Sequence, residues 1–296
     1  MPADGVPAGF GLVDALNRHH GYGLAVEGRA ALGETAGATY VRWPDRRRSV
    51  VTVATTSLDL MRQTAEVLNA AADRGLPVPR HEVVVEIADQ VLVVQERLFG
   101  RHPDFVGTDL IDRLIVANDG FADVLTGRPD VPAPALFLTS GGPVAPRHET
   151  LAGHSRRSRD LLDRIQAAGA EHADFLSGCD LVHTDFTVPN ALLDGDGAVT
   201  GIVDWNNGAA RGDRDFALVK LLFDLTWDAA APGGGRHHIQ PEALEHLHRR
   251  LTDRLDPPRL RAYWAHWTLV MLHWTIRSGD ENAVELHLDL GERELR

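Results

Sequence analysis

One cysteine, Cys179, stands in 296 residues, so no internal disulfide can form and nothing marks an oxidising compartment. Its plainest reading is a small buried hydrophobe just before a strand. Lysine is as scarce: Lys220 is the only one, and every other fixed cation is an arginine. No apolar run approaches the ~20 residues of a membrane-spanning helix. The opening MPADGVPAGFG lacks the basic and apolar regions of a secretory leader, so the cytoplasm is expected and no membrane partner. Basic excess is absent too. A net charge of −12 and a pI near 5.6 argue against nucleic acid as a partner. The chain has no internal repeat, its histidines are scattered without metal-ligand spacing, and nothing in it fixes an oligomeric state.

A hydrophobic content of 44% with 24% charged residues is ordinary for a globular protein. The length exceeds the usual single domain, so two lobes are expected. Phe10 to His20 reads as a short helix, broken by Gly21-Tyr22-Gly23. Thr39–Trp43 and Ser49–Ala54 read as strands around the turn Pro44-Asp45-Arg46. Leu58 to Arg74 has the three- and four-residue apolar steps of an amphipathic helix, through Leu60, Met61, Thr64, Val67, Leu68 and Ala71. Val83–Ile87 and Gln90–Gln95 form a second hairpin candidate. Beyond residue 98 the pattern turns helical: 109–125, 151–177, 216–229, 242–255 and 260–278. The long Pro/Gly-rich stretch 128–147 is a candidate border of a substrate site. Trp264, Trp267, Met271 and Trp274 form a stripe that reads as core packing. His237-His238 reads as a solvent-facing loop.

The chemistry concentrates in Leu181 to Phe216, LVHTDFTVPNALLDGDGAVTGIVDWNNGAARGDRDF. Ala191–Leu193 and Ala198–Val203 are apolar runs joined by Asp194-Gly195-Asp196-Gly197, a strong hairpin signal. That hairpin brings Asn190 close to Asp204, with Asp185 on the same rim. Asn190 and Asp204 offer the hard oxygen donors that Mg²⁺ takes in small number. Asp185 would accept the proton of an attacking hydroxyl. His183-x-Asp185-x4-Asn190 followed by Asp204 has the spacing of a phosphoryl-transfer loop.

This stretch resembles the aminoglycoside phosphotransferase and choline-kinase-like family, whose form is close to H-G-D-x-x-x-x-N followed by I-D-W. Gly201-Ile202-Val203-Asp204-Trp205 and Gly212-Asp213-Arg214 look like the family's later segment. Gly75-Leu76-Pro77-Val78-Pro79 matches a run common there, and Glu96-Arg97-Leu98-Phe99-Gly100 resembles its hinge. The resemblance implies an α+β, two-lobed protein-kinase-like fold. A small antiparallel-sheet N-lobe with one helix would span 1–98, and a larger, mainly helical C-lobe 99–296. It implies ATP (or GTP) and Mg²⁺ as cofactors, with Asn190 and Asp204 as metal ligands and Asp185 as the catalytic carboxylate. His183 would brace the loop. Backbone groups around Gln95, Glu96, Arg97 and Leu98 would meet the adenine edge. Gly33 and Gly37 fall at the loop over the nucleotide, where glycine lets backbone N–H groups approach phosphate; plain turn residues are the other reading. The acceptor would be a hydroxylated small molecule, an aminoglycoside or other cationic metabolite, with antibiotic resistance as the associated role. Asp224, Asp228, Asp280 and Glu281 are the acids offered to its ammonium groups.

The resemblance fails at one place. A kinase of this fold holds the nucleotide phosphates with a cation on the third strand, anchored by a helix glutamate. Here Thr52 stands at the cation's place and Thr64 near the glutamate's, flanked by Gln63 and Glu66, while Lys220 lies in the wrong lobe. Three explanations stay open: a register slip, a charge from Arg42, Arg47 or Arg48, or a degraded nucleotide site. The last makes a catalytically impaired, pseudokinase-like binding protein the rival expectation. Thr184 in place of glycine is a milder departure. Ala217 stands where the family has an acid, so Asp213 and Asp215 are expected to be structural.

Overall fold

The structure, a computed structural model, describes residues 9–30, 37–231 and 235–296. The chain divides into two compact units, Met1–Pro103 with Val188–Ala209, and Asp104–Thr187 with Ala210–Arg296. Gly33 lies outside the described residues.

The first unit begins with α1 (Gly9–His20), β1 (Ala25–Arg29), β2 (Thr39–Arg42), β3 (Arg48–Val53), α2 (Leu58–Asp73), β4 (His81–Ile87) and β5 (Gln90–Glu96). Its five strands form an antiparallel sheet in the order β1-β2-β3-β5-β4. The apolar run of β5 is explained by burial on both faces. Leu92 and Val94 join Leu12, Val13 and Leu16 of α1 on one side. Val91 and Val93 meet Met61 of α2 on the other. Ala88 and Asp89, both at positive φ (51° and 62°), make the tight β4–β5 turn that fits the twist of an antiparallel pair. The Ser57 side chain caps α2 by accepting from Leu60 N–H, and Met61, Thr64, Val67, Leu68 and Ala71 are its buried positions, as the spacing predicts.

The second unit is mainly helical. β6 (Phe105–Val106), α3 (Thr108–Asp119), α4 (His148–His154), α5 (Arg156–Ala170) and β7 (Asp180–Val182) precede the chain's return to the first unit. There it forms a 3-10 turn at Val188–Asn190 and the hairpin β8 (Ala191–Leu193) and β9 (Val199–Ile202). β10 (Ala210–Gly212), α6 (Asp215–Ala230), β11 (His238–Ile239), α7 (Pro241–Thr252), α8 (Pro257–Ser278) and α9 (Glu281–Glu294) follow. The α+β expectation holds: a small antiparallel sheet with its helix, then a mainly helical part.

Two helices differ from the sequence reading. The stretch expected as one helix over 151–177 is α4 and α5, divided at Ser155, whose extended backbone and reciprocal capping box with Ser158 start a new helix. The helix expected over 109–125 ends at Asp119, with Gly120 as its C-cap, and Asp123 at a φ of 57° turns the chain away from a helical path. Phe121 and Leu125 stay buried in the turns beyond it. In α8, Trp264 and Trp267 pack into the core while Trp274 is 55% exposed, so the stripe is core for most of its length. His237 is not solvent-facing: its Nδ1 lies 2.9 Å from Asp228 Oδ2.

His266 of α8 is buried with Nδ1 2.8 Å from Leu136 O, and burial pushes its pKa down to about 4. Burial does the same to His81, and burial with the charge of Lys220 to His287. Above the unfolded value of 6.5 these rings are neutral in both states. As pH falls from 6.5 towards 4 the unfolded chain takes up protons the folded one refuses, so stability falls. The loss is roughly 3 kcal/mol for a ring shifted this far. Urea unfolding at pH 7 and pH 4.5 should show a clear drop in midpoint at the lower pH; an unchanged midpoint would refute this reading of the buried rings.

Candidate active site

The hairpin forms where the Asp-Gly run predicts it. Asp194 Oδ1 accepts from the N–H groups of Asp196 and Ala198, closing the turn, and Gly197 supplies a φ of 80°. β8 and β9 pair with Ala191 opposite Ile202. One residue further, Val203 N–H donates to Asn190 O at 2.8 Å, so Asn190 and Asp204 stand at the same end of the hairpin. Trp205, 2% exposed, donates its indole N–H to Ile202 O and fixes the exit of β9. Asp204 takes a φ of 66°, which a non-glycine residue adopts only when its surroundings hold it there.

What holds it is a set of hydrogen bonds within the first unit. Asn206 donates through Nδ2 to Asp204 Oδ1 at 2.6 Å and accepts through its own Oδ1 from Thr52 Oγ1 at 2.9 Å. Thr55 N–H donates to Asn206 O, and Thr55 Oγ1 to Asn207 Oδ1. Thr64 Oγ1 accepts from Ala209 N–H at 2.8 Å and donates to Leu60 O. Gly208, at φ 90°, lies so close to Leu60 that a Cβ there would come within 3.2 Å of Leu60 Cγ. Thr52 on β3 and Thr64 on α2, the residues read at the cation's place and near the glutamate's, therefore both grip the segment around Asp204. Of the arginines offered in the cation's stead, Arg42 and Arg48 pair with Glu27, and Arg47 with Asp45 and Glu82.

Asp185 belongs to the second unit, in the loop between β7 and the 3-10 turn. β7 pairs with β10, Val182 opposite Ala210, which anchors the start of that loop. Asp185 N–H donates to Nδ1 of His183 at 3.2 Å, and the His183 ring is 1% exposed with its edge towards Phe186. An accepting Nδ1 places the ring proton on Nε2. Lys220 of α6, which the sequence reading set aside, puts its Nζ 3.3 Å from Asp185 Oδ1 and 3.7 Å from Asp224 Oδ1.

The remaining sequence-predicted residues are in the first unit. Gly37 has a φ of 61°, which requires glycine-like freedom. Gln95 is 5% exposed at the end of β5. The N–H groups of Glu96 and Arg97 donate to Arg80 O and Arg48 O, so neither points at a ligand. The Arg97 guanidinium lies over the Tyr40 ring at 3.9 Å, and Leu98 packs on Gly201. Asp213 and Asp215, in the second unit, are bound internally. Asp213 accepts from Tyr263 O–H and Asp215 N–H, and Asp215 accepts from Arg254. Two functional candidates went unread in the sequence, Asn206 and Lys220. Only the rarity of lysine signalled the second.

The sequence profile of the phosphotransferase enzyme family matches residues 28–263. The chain belongs to that family. No protein of curated function matches this phosphotransferase-family chain by sequence. Among solved structures, it is similar to a thermostable mutant of aminoglycoside phosphotransferase APH(4)-Ia in ternary complex with ADP and hygromycin B. The identity is 20% over 95% of this chain and 96% of that one, with a TM-score of 0.63. A GDP and kanamycin complex of APH(2")-IIia is 15% identical over 96% and 98%, with a TM-score of 0.61. The aminoglycoside-3'-phosphotransferase of type VIII is 20% identical over 87% and 98%, with a TM-score of 0.60. At these identities the likeness establishes the kinase-like fold.

The clamp around Asp204 is testable through stability. Thr52→Val removes the donor to Asn206 Oδ1, and Asn206→Ala removes both bonds of the bridge. A net hydrogen bond contributes about 1 kcal/mol, and more when it reaches a carboxylate. Urea unfolding should place Thr52→Val about 1 kcal/mol below the parent and Asn206→Ala lower still. Parent-like stability of both would mean that the bridge holds nothing.

Proposed function

We propose that the protein is an ATP-dependent phosphotransferase acting on a hydroxyl of a small molecule. The observation that carries this reading is the strained, hydrogen-bonded Asp204 standing with Asn190 at one hairpin end. In sequence, that pair follows the braced carboxylate of Asp185 at phosphoryl-transfer spacing. Asn190 and Asp204 supply an amide and a carboxylate oxygen, a donor set that fits Mg²⁺. Mg²⁺, when bound, neutralises charge on the phosphate oxygens. Gly37 would sit beside the phosphates, and the segment from Gln95 to Leu98 at the adenine, through atoms other than the N–H groups of Glu96 and Arg97. GTP is the alternative nucleotide. Nucleotide supply fits the cytoplasm.

In the proposed reaction the acceptor oxygen bonds to the γ-phosphorus as the bond to the bridging oxygen breaks. The nucleoside diphosphate leaves with that electron pair, and the hydroxyl proton passes to Asp185. His183 keeps the loop in place through the Asp185 N–H. The acceptor class we favour is an aminoglycoside-like or other cationic metabolite, consistent with an acidic chain and with the hygromycin B and kanamycin bound by solved relatives. Three of the four acids first offered to its ammonium groups are engaged elsewhere, and the fourth, Glu281, is exposed in the first turn of α9. Asp224 pairs with Lys220 and Arg236, Asp228 accepts from the 236–237 backbone and His237, and Asp280 caps α9. One observation favours the rival, a catalytically impaired binding protein: neutral Thr52 stands where a phosphate-holding cation belongs.

Thermal unfolding with and without Mg²⁺-ATP separates the two readings. Ligand at a hundred times Kd stabilises by about 2.7 kcal/mol, a rise of roughly 5 °C for a chain of this size. The rise should require Mg²⁺ and vanish in Asp204→Ala. Asp185→Ala should keep the rise and lose all turnover against a panel of aminoglycosides, choline and simple sugars. Retained turnover in Asp185→Ala would sink the assignment, and an absent rise with both ATP and GTP would favour the rival.

A further inference from the structure

Lys220 is the single lysine of the chain, and its side chain is only 9% exposed. A buried ammonium is costly unless paired, and a methionine or leucine would pack on this helix at no such cost. Its neighbours on α6, Leu218, Val219, Leu221 and Leu222, are all buried apolar residues. Structural ion pairs elsewhere use arginine: Arg157 gathers Glu285, Asp289 and Glu292, and Arg254 joins Asp119 to Asp215. Lysine differs in being a compact point charge whose donors rotate, so it can turn between partners without a planar fork.

Four groups from separate elements face it. Asp185 Oδ1 lies at 3.3 Å from the loop after β7, and Asp224 Oδ1 at 3.7 Å from α6 itself. The Trp267 ring of α8 has its centroid 5.4 Å away. His287 of α9, stacked on Phe223 and Trp227, is kept neutral by burial and by the charge of Lys220. Arg236 shares Asp224 at 3.5 Å. One ammonium thus sits between two carboxylates. One of them, Asp185, is 40% exposed; the other, Asp224, is 15% exposed.

We infer that Lys220 is a positioning residue for the proposed phosphoryl transfer: from α6 it holds Asp185 Oδ1 so that the carboxylate presents one fixed orientation to the acceptor hydroxyl. Asp224 keeps the ammonium at that depth when Asp185 takes up the hydroxyl proton and its attraction weakens. This inference rests on the assignment of Asp185 as the reacting carboxylate, and it adds a residue that the spacing of the loop does not contain.

Having one lysine makes the contact directly observable. Protein grown with lysine labelled at ¹³Cε and ¹⁵Nζ gives one side-chain signal. That signal should move in Asp185→Asn; no movement would overturn the contact. Turnover is read as Mg²⁺-ATP hydrolysis with water as acceptor. Lys220→Met, shown to be folded by its melting transition, should lower kcat about a hundredfold, the scale of a misplaced reacting group, with the KM for ATP within about twofold. Lys220→Arg should restore part of it. Wild-type kcat in Lys220→Met, or a KM loss without a kcat loss, would overturn the positioning role. If Lys220→Met does not fold, the labelled signal and the kcat of Lys220→Arg carry the test; wild-type kcat in Lys220→Arg together with an unmoved signal would overturn it. Asp185→Ala separates the two levels. Hydrolysis retained there defeats the phosphotransfer assignment, whereas hydrolysis lost there but kept in Lys220→Met defeats only the role of Lys220.

Discussion

An aspartate at positive φ has to be held, and the first unit is built around holding Asp204. Its carboxylate is gripped from Asn206, Asn206 from Thr52 on the sheet, and the segment beyond from Thr64 on the helix. Each grip depends on a larger element being in place. β3 sits centrally between β2 and β5, and α2 packs its Met61 against Val91 and Val93. The apolar core on both faces of β5 is therefore what gives one polar residue its unusual backbone. The hairpin brings Asn190 to the same end as Asp204 by backbone pairing alone, since Val203 N–H on Asn190 O aligns the two positions.

The second unit solves a different electrostatic problem. Its acidic loop after β10 carries Asp213 and Asp215 in succession, and both are matched: by Tyr263, by the loop backbone, and by Arg254. Arg214 and Arg254 converge on Asp119 at the end of α3. Planar guanidinium groups suit that task, because each bridges two carboxylates in fixed directions. The one ammonium of the chain is reserved for Asp185 and Asp224. Charge in this unit is thus sorted by geometry, with forks at the structural acids and a rotatable point charge at the acid of the H-x-D loop.

Much of this was legible in the residues. The period of α2, the Ala88-Asp89 hairpin and the Asp-Gly turn before β9 are local signals, and local chemistry decides them. The hairpin also gave the nearness of Asn190 and Asp204, because a turn fixes register. What was not legible depends on packing between distant segments. Ser155 is the exception, a local capping box with Ser158 that divides α4 from α5 and is masked by the helical pattern on either side. The helix at Asp119 stops at Gly120, a local signal, but the arginines that gather on Asp119 come from some hundred residues away in sequence, which no local pattern announces. Lys220 reads as misplaced because motif spacing counts along the chain, whereas an ion pair is a matter of space.

The same distinction bears on Thr52 and Thr64, read at the cation's place and near the glutamate's. Both hydroxyls are bonded to one short segment, at Asn206 and at Ala209. An ion pair between strand and helix fixes the two elements to each other; this pair of neutral bonds fixes each of them to the loop that carries Asp204. A buried hydroxyl with a partner stabilises modestly and one without a partner is costly, so two satisfied hydroxyls on a common target hold that target in place. Neutral bonds of this kind orient the segment but bring no charge to it, so the proposed catalytic reading leans on the geometry around Asp204 and the rival on the missing charge.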